Sequence, residues 1–121
     1  MKQILVVDDS AVIRRVARRI LENLHFRTSE APSGYAALEE CGRAMPDIIL
    51  LDWNMPEMDG LEFLGELRKM PGGVTPKVLY CTIENEVGHL ARAKYAGADD
   101  YMMKPFDSET MKRKFAEIGL I

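Results

Sequence analysis

The chain has 121 residues, 47% hydrophobic and 29% charged, which is the size and balance of one soluble domain with an ordinary core. Its formal net charge of −3 gives no electrostatic reason to expect nucleic-acid binding. Cys41 and Cys81 lack the spacing of a disulfide framework, no apolar run approaches the ~20 residues that span a bilayer, and the charged start has no signal-peptide core, so we expect a cytoplasmic protein without membrane insertion.

Residues 4–7, Ile-Leu-Val-Val, form a continuous apolar run that ends at Asp8-Asp9 and predicts a buried strand. Val12, Ile13, Val16, Ala17, Ile20, Leu21 and Leu24 then recur at i, i+3 and i+4, the stripe of an amphipathic helix. Ser10 is placed to cap its first turn. Arg14, Arg15, Arg18 and Arg19 fall opposite that stripe, which predicts a solvated face with Glu22 as an ion-pair partner. Residues 26–30 are a weaker, more polar strand, followed by Pro32-Ser33-Gly34 and a helix near 35–44.

Residues 48–51, Ile-Ile-Leu-Leu, are the second strong strand and end at Asp52. The loop 53–60 leads to a helix carrying Leu61, Leu64 and Leu67, broken by Pro71-Gly72-Gly73. Residues 78–81 predict a third buried strand ending at Thr82, then a helix near 85–95 closed by Gly97. Residues 101–103 are a short strand running into Lys104-Pro105, and a last helix starts near Ser108 with Met111, Phe115 and Ile118 on one face.

Five strand–helix alternations predict a doubly wound α/β domain, a parallel sheet covered by helices on both faces. The three continuous apolar runs belong at its centre and the two shorter or more polar strands at its edges, which the order 2-1-3-4-5 satisfies. In such a sheet every carboxyl end lies on one edge, and ligands bind where the order reverses, here between the first and third strands. Asp8, Asp9, Asp52, Thr82 and Lys104 therefore converge on one shallow pocket. Alone, each has a blander reading: an aspartate at a strand end caps a helix, a threonine ends a turn, a lysine is solvated. All five at one sheet edge are hard to ascribe to chance. Three carboxylates in one pocket repel one another unless a counter-charge is present. A hard dication such as Mg²⁺ (or Mn²⁺) suits oxygen ligands that must also accept phosphate oxygens. Aspartate can act as a nucleophile that forms an acyl-phosphate, and lysine supplies a point charge for phosphoryl oxygens. These are the parts of an in-line phosphoryl transfer.

The run VVDDS, then LLDWNMPEMDG, a strand ending in CT, and YMMKPF together resemble the receiver domains of two-component response regulators, over essentially the whole chain. Asp52-Trp-Asn-Met-Pro56 with Met58-Asp-Gly-Leu-Glu62 is similar to CheY-like chemotaxis regulators, and the Thr82-Ile-Glu-Asn-Glu86 run and the Lys104-to-Glu109 segment resemble those of α-proteobacterial type. The resemblance implies the flavodoxin-like (βα)5 fold and a single receiver domain over residues 1–121. Because the chain stops at Ile121, soon after the last helix, we expect no output domain, a monomer, and output by protein binding. It further implies Asp52 as phosphoacceptor, and Mg²⁺ bound by Asp9 and Asp52, by Asp8 mainly through water, and by the backbone carbonyl of Asn54. Thr82 and Lys104 would contact the phosphoryl group, and Tyr101 would be the switch aromatic. The bond before Pro105 is often cis in this family. Glu84, two residues after Thr82, matches the chemotaxis pattern. Ile83 departs from it, because receivers usually carry a small residue there. Being branched and stiff, Ile83 either leans over the mouth of the site or simply packs on the fourth helix.

The phosphodonor implied is a histidine kinase. The target implied is the flagellar motor switch protein, or a phosphotransfer protein if the chain is a phosphate sink or relay intermediate outside chemotaxis. No enzymatic activity is expected beyond its own phosphorylation and dephosphorylation. An aspartyl-phosphate phosphatase fits less well: the dehalogenase-type enzymes need a second Asp two residues after the nucleophile, where this chain has Asn54. A flavin module fits worse, since Asp8-Asp9 would repel a phosphate, and no Walker motif is present. His25 and His89 lack metal-ligand spacing and read as surface residues, the methionines read as core or loop fillers, and Trp53 is placed to report on Asp52.

Overall fold

The computed structural model describes residues 2–82 and 87–121. The apolar runs become β1 (Gln3–Val7), β3 (Ile48–Asp52) and β4 (Lys77–Thr82), and the shorter ones β2 (Arg27–Ala31) and β5 (Asp100–Met103). All pair in parallel in the order β2-β1-β3-β4-β5, so the expected central and edge strands fall where the sequence placed them. The helices are α1 (Ala11–Asn23), α2 (Gly34–Arg43), α3 (Gly60–Lys69), α4 (Val87–Tyr95) and α5 (Ser108–Glu117).

A strand sends successive side chains to opposite faces, and the central strands divide their apolar residues accordingly. Ile4, Val6, Ile48, Leu50, Leu79 and Cys81 join Ala17, Ile20, Leu21, Met111 and Phe115 beneath α1 and α5. Leu5, Val7, Ile49, Leu51, Val78 and Tyr80 join Ala37, Phe63, Leu64 and Leu67 on the other face. This two-sided burial explains why β1, β3 and β4 read as unbroken apolar runs instead of alternating ones. Cys41 and Cys81 are buried free thiols, and burial pushes Cys41 up to about 11 and Cys81 higher still, so both pack as small apolar residues.

The helix ends follow local chemistry. Ser10 caps α1 by accepting from the Ile13 N–H, as expected from its position, and Ser33 and Asp107 cap α2 and α5 in the same way. Asp59 and Glu62 form a reciprocal capping box at the start of α3. The chain leaves α1 through His25, an exposed residue at φ 70°.

Three expectations need correction. Val12 and Val16, read as part of the buried stripe of α1, are 62% and 44% exposed; the face that meets the sheet is Ala17, Ile20 and Leu21. The arginines do not form a uniformly solvated face. Arg15 and Arg19 are exposed, but the side chain of Arg14 is only 14% exposed and pairs with Glu30 of β2, and Arg18 pairs with both Glu30 and Glu22. Phe26 precedes β2 instead of starting it; its buried ring meets Phe115 edge-on, with centroids 5.6 Å apart.

Candidate functional site

The register of the sheet builds the site. β1 and β3 pair Val7 with Leu51, so Asp8 and Asp52, one residue further on, emerge side by side and on the same face. β3 and β4 pair Asp52 with Cys81, and β4 and β5 pair Thr82 with Met103, which brings Lys104 next along the edge. Two backbone bonds beyond the ladder tie these exits together: Trp53 N–H donates to the Cys81 carbonyl at 3.0 Å, and Lys104 N–H to the Thr82 carbonyl at 2.9 Å.

The five residues inferred from the strand ends do meet at one edge. Asp8, Asp52 and Thr82 are buried, while Asp9 is exposed at the mouth. One carboxylate oxygen from each of Asp8, Asp9 and Asp52 lies within 4.8 Å of the other two. The Lys104 ammonium donates to Asp8 Oδ2 at 2.8 Å and to Asp52 Oδ1 at 2.9 Å. The Lys104-Pro105 peptide is cis.

Electrostatics follow from that crowding. Burial pushes the Asp52 carboxyl up to about 6; the hydrogen bond from Lys104 opposes the rise, and the charges of Asp8 and Asp9 add to it. For Lys104, burial pulls the ammonium down, but its hydrogen bonds to Asp8 and Asp52 and their charges outweigh this and leave it above its ordinary value. Three carboxylates against one ammonium leave an excess of negative charge in a confined space. That donor set, all oxygen and open at Asp9, fits a hard divalent cation of the Mg²⁺ kind.

The segment after Asp52 is held firmly. Trp53, Met55 and Met58 are buried, and Gly60 N–H returns to the Trp53 carbonyl at 3.0 Å. A Cβ on Gly60 would lie 2.7 Å from the Trp53 ring and 3.1 Å from its Cα, so only glycine permits this close return. Asn54 is exposed at the start of the loop.

Tyr101 is half-buried on β5, with its ring 6.1 Å from that of Tyr80 and the Lys104-side helix α5 contributing the Lys114 ammonium 5.2 Å from its centroid. Ile83 and Glu84 lie outside the described residues, as do the start expected for the fourth helix and the side chain of His89. Sequence reasoning passed over Tyr80, whose ring stands 5.0 Å from Trp53 and so links the residue beside Asp52 to Tyr101. An aromatic with a polar tip within an aliphatic central strand was the available signal. It also missed Glu30, for which no local signal exists.

Comparison with known proteins agrees with this geometry. A family model described as the response regulator receiver domain matches residues 4–116. The chain is 35% identical over 117 residues to chemotaxis protein CheY-3 of Vibrio cholerae, covering 96% of this chain and 90% of that one. It is 34% identical over 110 residues to chemotaxis protein CheY of Listeria monocytogenes, covering 90% and 91%. Among solved structures, Vibrio cholerae chemotaxis protein CheY4 superposes with a TM-score of 0.93 at 30% identity over 98% of both chains. Sheet order, strand-end chemistry and relatedness over nearly the full length agree, and the chain belongs to the response regulator receiver domain family.

Proposed function

We propose that the protein accepts a phosphoryl group on Asp52 from the phosphohistidine of a histidine kinase and signals by a change in what its surface binds. The observation that carries this reading is the cluster of Asp8, Asp9 and Asp52 with Lys104 bridging two of them. An Asp52 carboxylate oxygen attacks phosphorus as the donor's P–N bond breaks, and the bonding pair leaves with the imidazole nitrogen. Lys104, positioned beside Asp52, pairs with a phosphoryl oxygen as charge develops, and Thr82 offers a hydroxyl at the neighbouring strand end. Asp8, Asp9 and Asp52, with the Asn54 carbonyl, would hold a Mg²⁺ or Mn²⁺ ion, which supplies charge neutralisation for the phosphoryl oxygens when bound.

The relatives are chemotaxis proteins, which supports a role in chemotaxis; the target we propose within it is the flagellar motor switch protein. The surface we favour for output lies along α4, β5 and α5; beside α4 and β5 it carries a groove of about 410 Å³ lined by Tyr80, Ala91, Lys94, Ala98, Asp99, Asp100 and Tyr101. Among the described residues no helix is long and apolar enough to cross a membrane.

The test is phosphorylation by a small acyl-phosphate or phosphoramidate donor with and without Mg²⁺, followed by mass mapping of the label. Incorporation on Asp52 that requires the metal is expected; label on another residue, or full incorporation without metal, overturns the assignment. Binding of the phosphorylated form to the motor switch protein, against binding to a phosphotransfer protein, separates the chemotaxis reading from a sink or relay.

A further inference from the structure

Arg14 is the least exposed of the four α1 arginines that have an ion-pair or surface role, and its guanidinium makes two bonds that tie separate strands together. Nε donates to Glu30 Oε1 on β2 at 2.6 Å, and Nη1 donates to the backbone carbonyl of Asp8 at 2.6 Å. Glu30 is itself braced: Arg18 Nη1 reaches its other oxygen at 2.5 Å, and Arg18 Nε is held by Thr28 Oγ1 at 3.0 Å. The two guanidiniums hold the Glu30 carboxyl below the usual carboxylate range, so it stays charged as their anchor. The preceding peptide, Val7–Asp8, is fixed as well, since the Asp8 N–H donates to the Ala31 carbonyl at 3.2 Å.

The Asp8 carbonyl belongs to the peptide unit that joins Asp8 to Asp9, and that unit is planar. Fixing the carbonyl oxygen therefore fixes the plane from which the Asp9 Cα departs. Asp9 is exposed, and among the described residues no hydrogen bond holds its carboxylate, whereas Asp8 is held directly by the Ser10 N–H at 2.9 Å and by Lys104 at 2.8 Å. Its direction toward Asp52 depends on this backbone. Resting on the metal-dependent reading above, we propose that Arg14, anchored by Glu30, is a positioning residue that aims the Asp9 carboxylate into the cation site.

Arginine is suited to this, because one planar fork serves two acceptors on different strands. Pairing with Glu30 also offsets its charge, so it can sit beside an acidic pocket without opposing a cation strongly.

The sign of the effect separates this role from simple electrostatics. Removing a cationic side chain near three carboxylates would, by Coulomb attraction alone, tighten Mg²⁺ binding. Loss of positioning weakens it. The experiment is calorimetric titration of Mg²⁺ into the unphosphorylated full chain and into Arg14→Ala, Glu30→Ala, Glu30→Gln and the Arg14→Ala/Glu30→Ala pair, with folding of each checked by thermal unfolding in EDTA. Arg14→Ala and Glu30→Ala are expected to weaken Mg²⁺ binding roughly tenfold, the lower end of what outer-shell changes do to metal sites. Glu30→Gln, which keeps an oxygen acceptor for Arg14, should stay within about twofold of the parent. The double variant should match Arg14→Ala, since Glu30 acts through Arg14. Unchanged or tighter binding in Arg14→Ala overturns the positioning role while leaving the metal site standing. Failure of the parent protein to bind Mg²⁺ overturns the metal reading and this inference together. Should Arg14→Ala not fold, the contrast between Glu30→Gln and Glu30→Ala decides: equal affinities overturn the proposal.

Discussion

Lys104 and Asp52, 52 residues apart in the chain, meet at 2.9 Å, and the same ammonium reaches Asp8 at 2.8 Å. Before any cation binds, this one lysine is the neutraliser that lets two buried carboxylates coexist. Lys104→Met should therefore destabilise the metal-free protein by roughly 3–5 kcal/mol, the usual range when one partner of a buried pair is removed. Urea unfolding with EDTA and with excess Mg²⁺ checks this. The cation should restore more stability to Lys104→Met than to the parent, because it replaces the lost charge. Equal Mg²⁺ stabilisation of both proteins would refute that account.

The Asp52 carboxyl rises from 3.8 to about 6 in the folded protein, through burial first. A carboxyl whose folded value is raised contributes stability that is complete below the unfolded value and is lost as pH climbs through the folded one. Ionisation of Asp52 thus weakens the metal-free fold progressively between about pH 4 and pH 6, by an amount of order 1–3 kcal/mol in all. Asp52→Asn removes that cost. Its stability advantage over the parent should grow between about pH 4 and pH 6, level off above about pH 7, and shrink when Mg²⁺ is added. An advantage independent of pH would show that desolvation of the carboxylate is not its source. The same variant should take up no phosphoryl group.

Gly60 admits the Trp53 ring at a distance no side chain tolerates. Gly60→Ala should cost about 1–3 kcal/mol through overpacking and change Trp53 emission, since the ring must move. Because Trp53 adjoins Asp52, phosphorylation by small donors should slow as well. A normal emission spectrum with full stability would mean that the loop accommodates the methyl group elsewhere.

Phosphorylation can shift only a pre-existing balance of states, by its differential affinity for them. Ring contacts run from beside the site to the surface through Trp53, Tyr80 and Tyr101, with centroids 5.0 Å and 6.1 Å apart in succession, so we expect the shift to reach Tyr101. Lys114 over the Tyr101 ring, also paired with Asp100, holds that ring half-exposed. Hydrogen exchange after phosphorylation should change in β5 and α5 and leave β2 and α2 nearly untouched. Changes confined to α1 and α2 would place the switch elsewhere.

Much of this architecture was legible in the residues. Unbroken apolar runs marked β1, β3 and β4 as buried on both faces, and the polar residues that ended them marked one functional edge. Asp8, Asp52, Thr82 and Lys104 could be placed together because a parallel sheet puts all carboxyl ends on one side, whatever their separation in sequence. Capping by Ser10 was equally local. What only the tertiary structure decided depended on rotations and neighbours that no local pattern encodes. Val12 and Val16 belong to a stripe with helical spacing, yet the angle at which α1 lies on the sheet turns them to solvent and turns Arg14 inward. Glu30 became the anchor of Arg14 because β2 sits beside β1 in the register Val6 to Glu30, a pairing set by the whole sheet. The sequence determined which chemistry collects at the edge; packing determined which charged side chains steady it, because a long side chain's partner is chosen by the surface it happens to face.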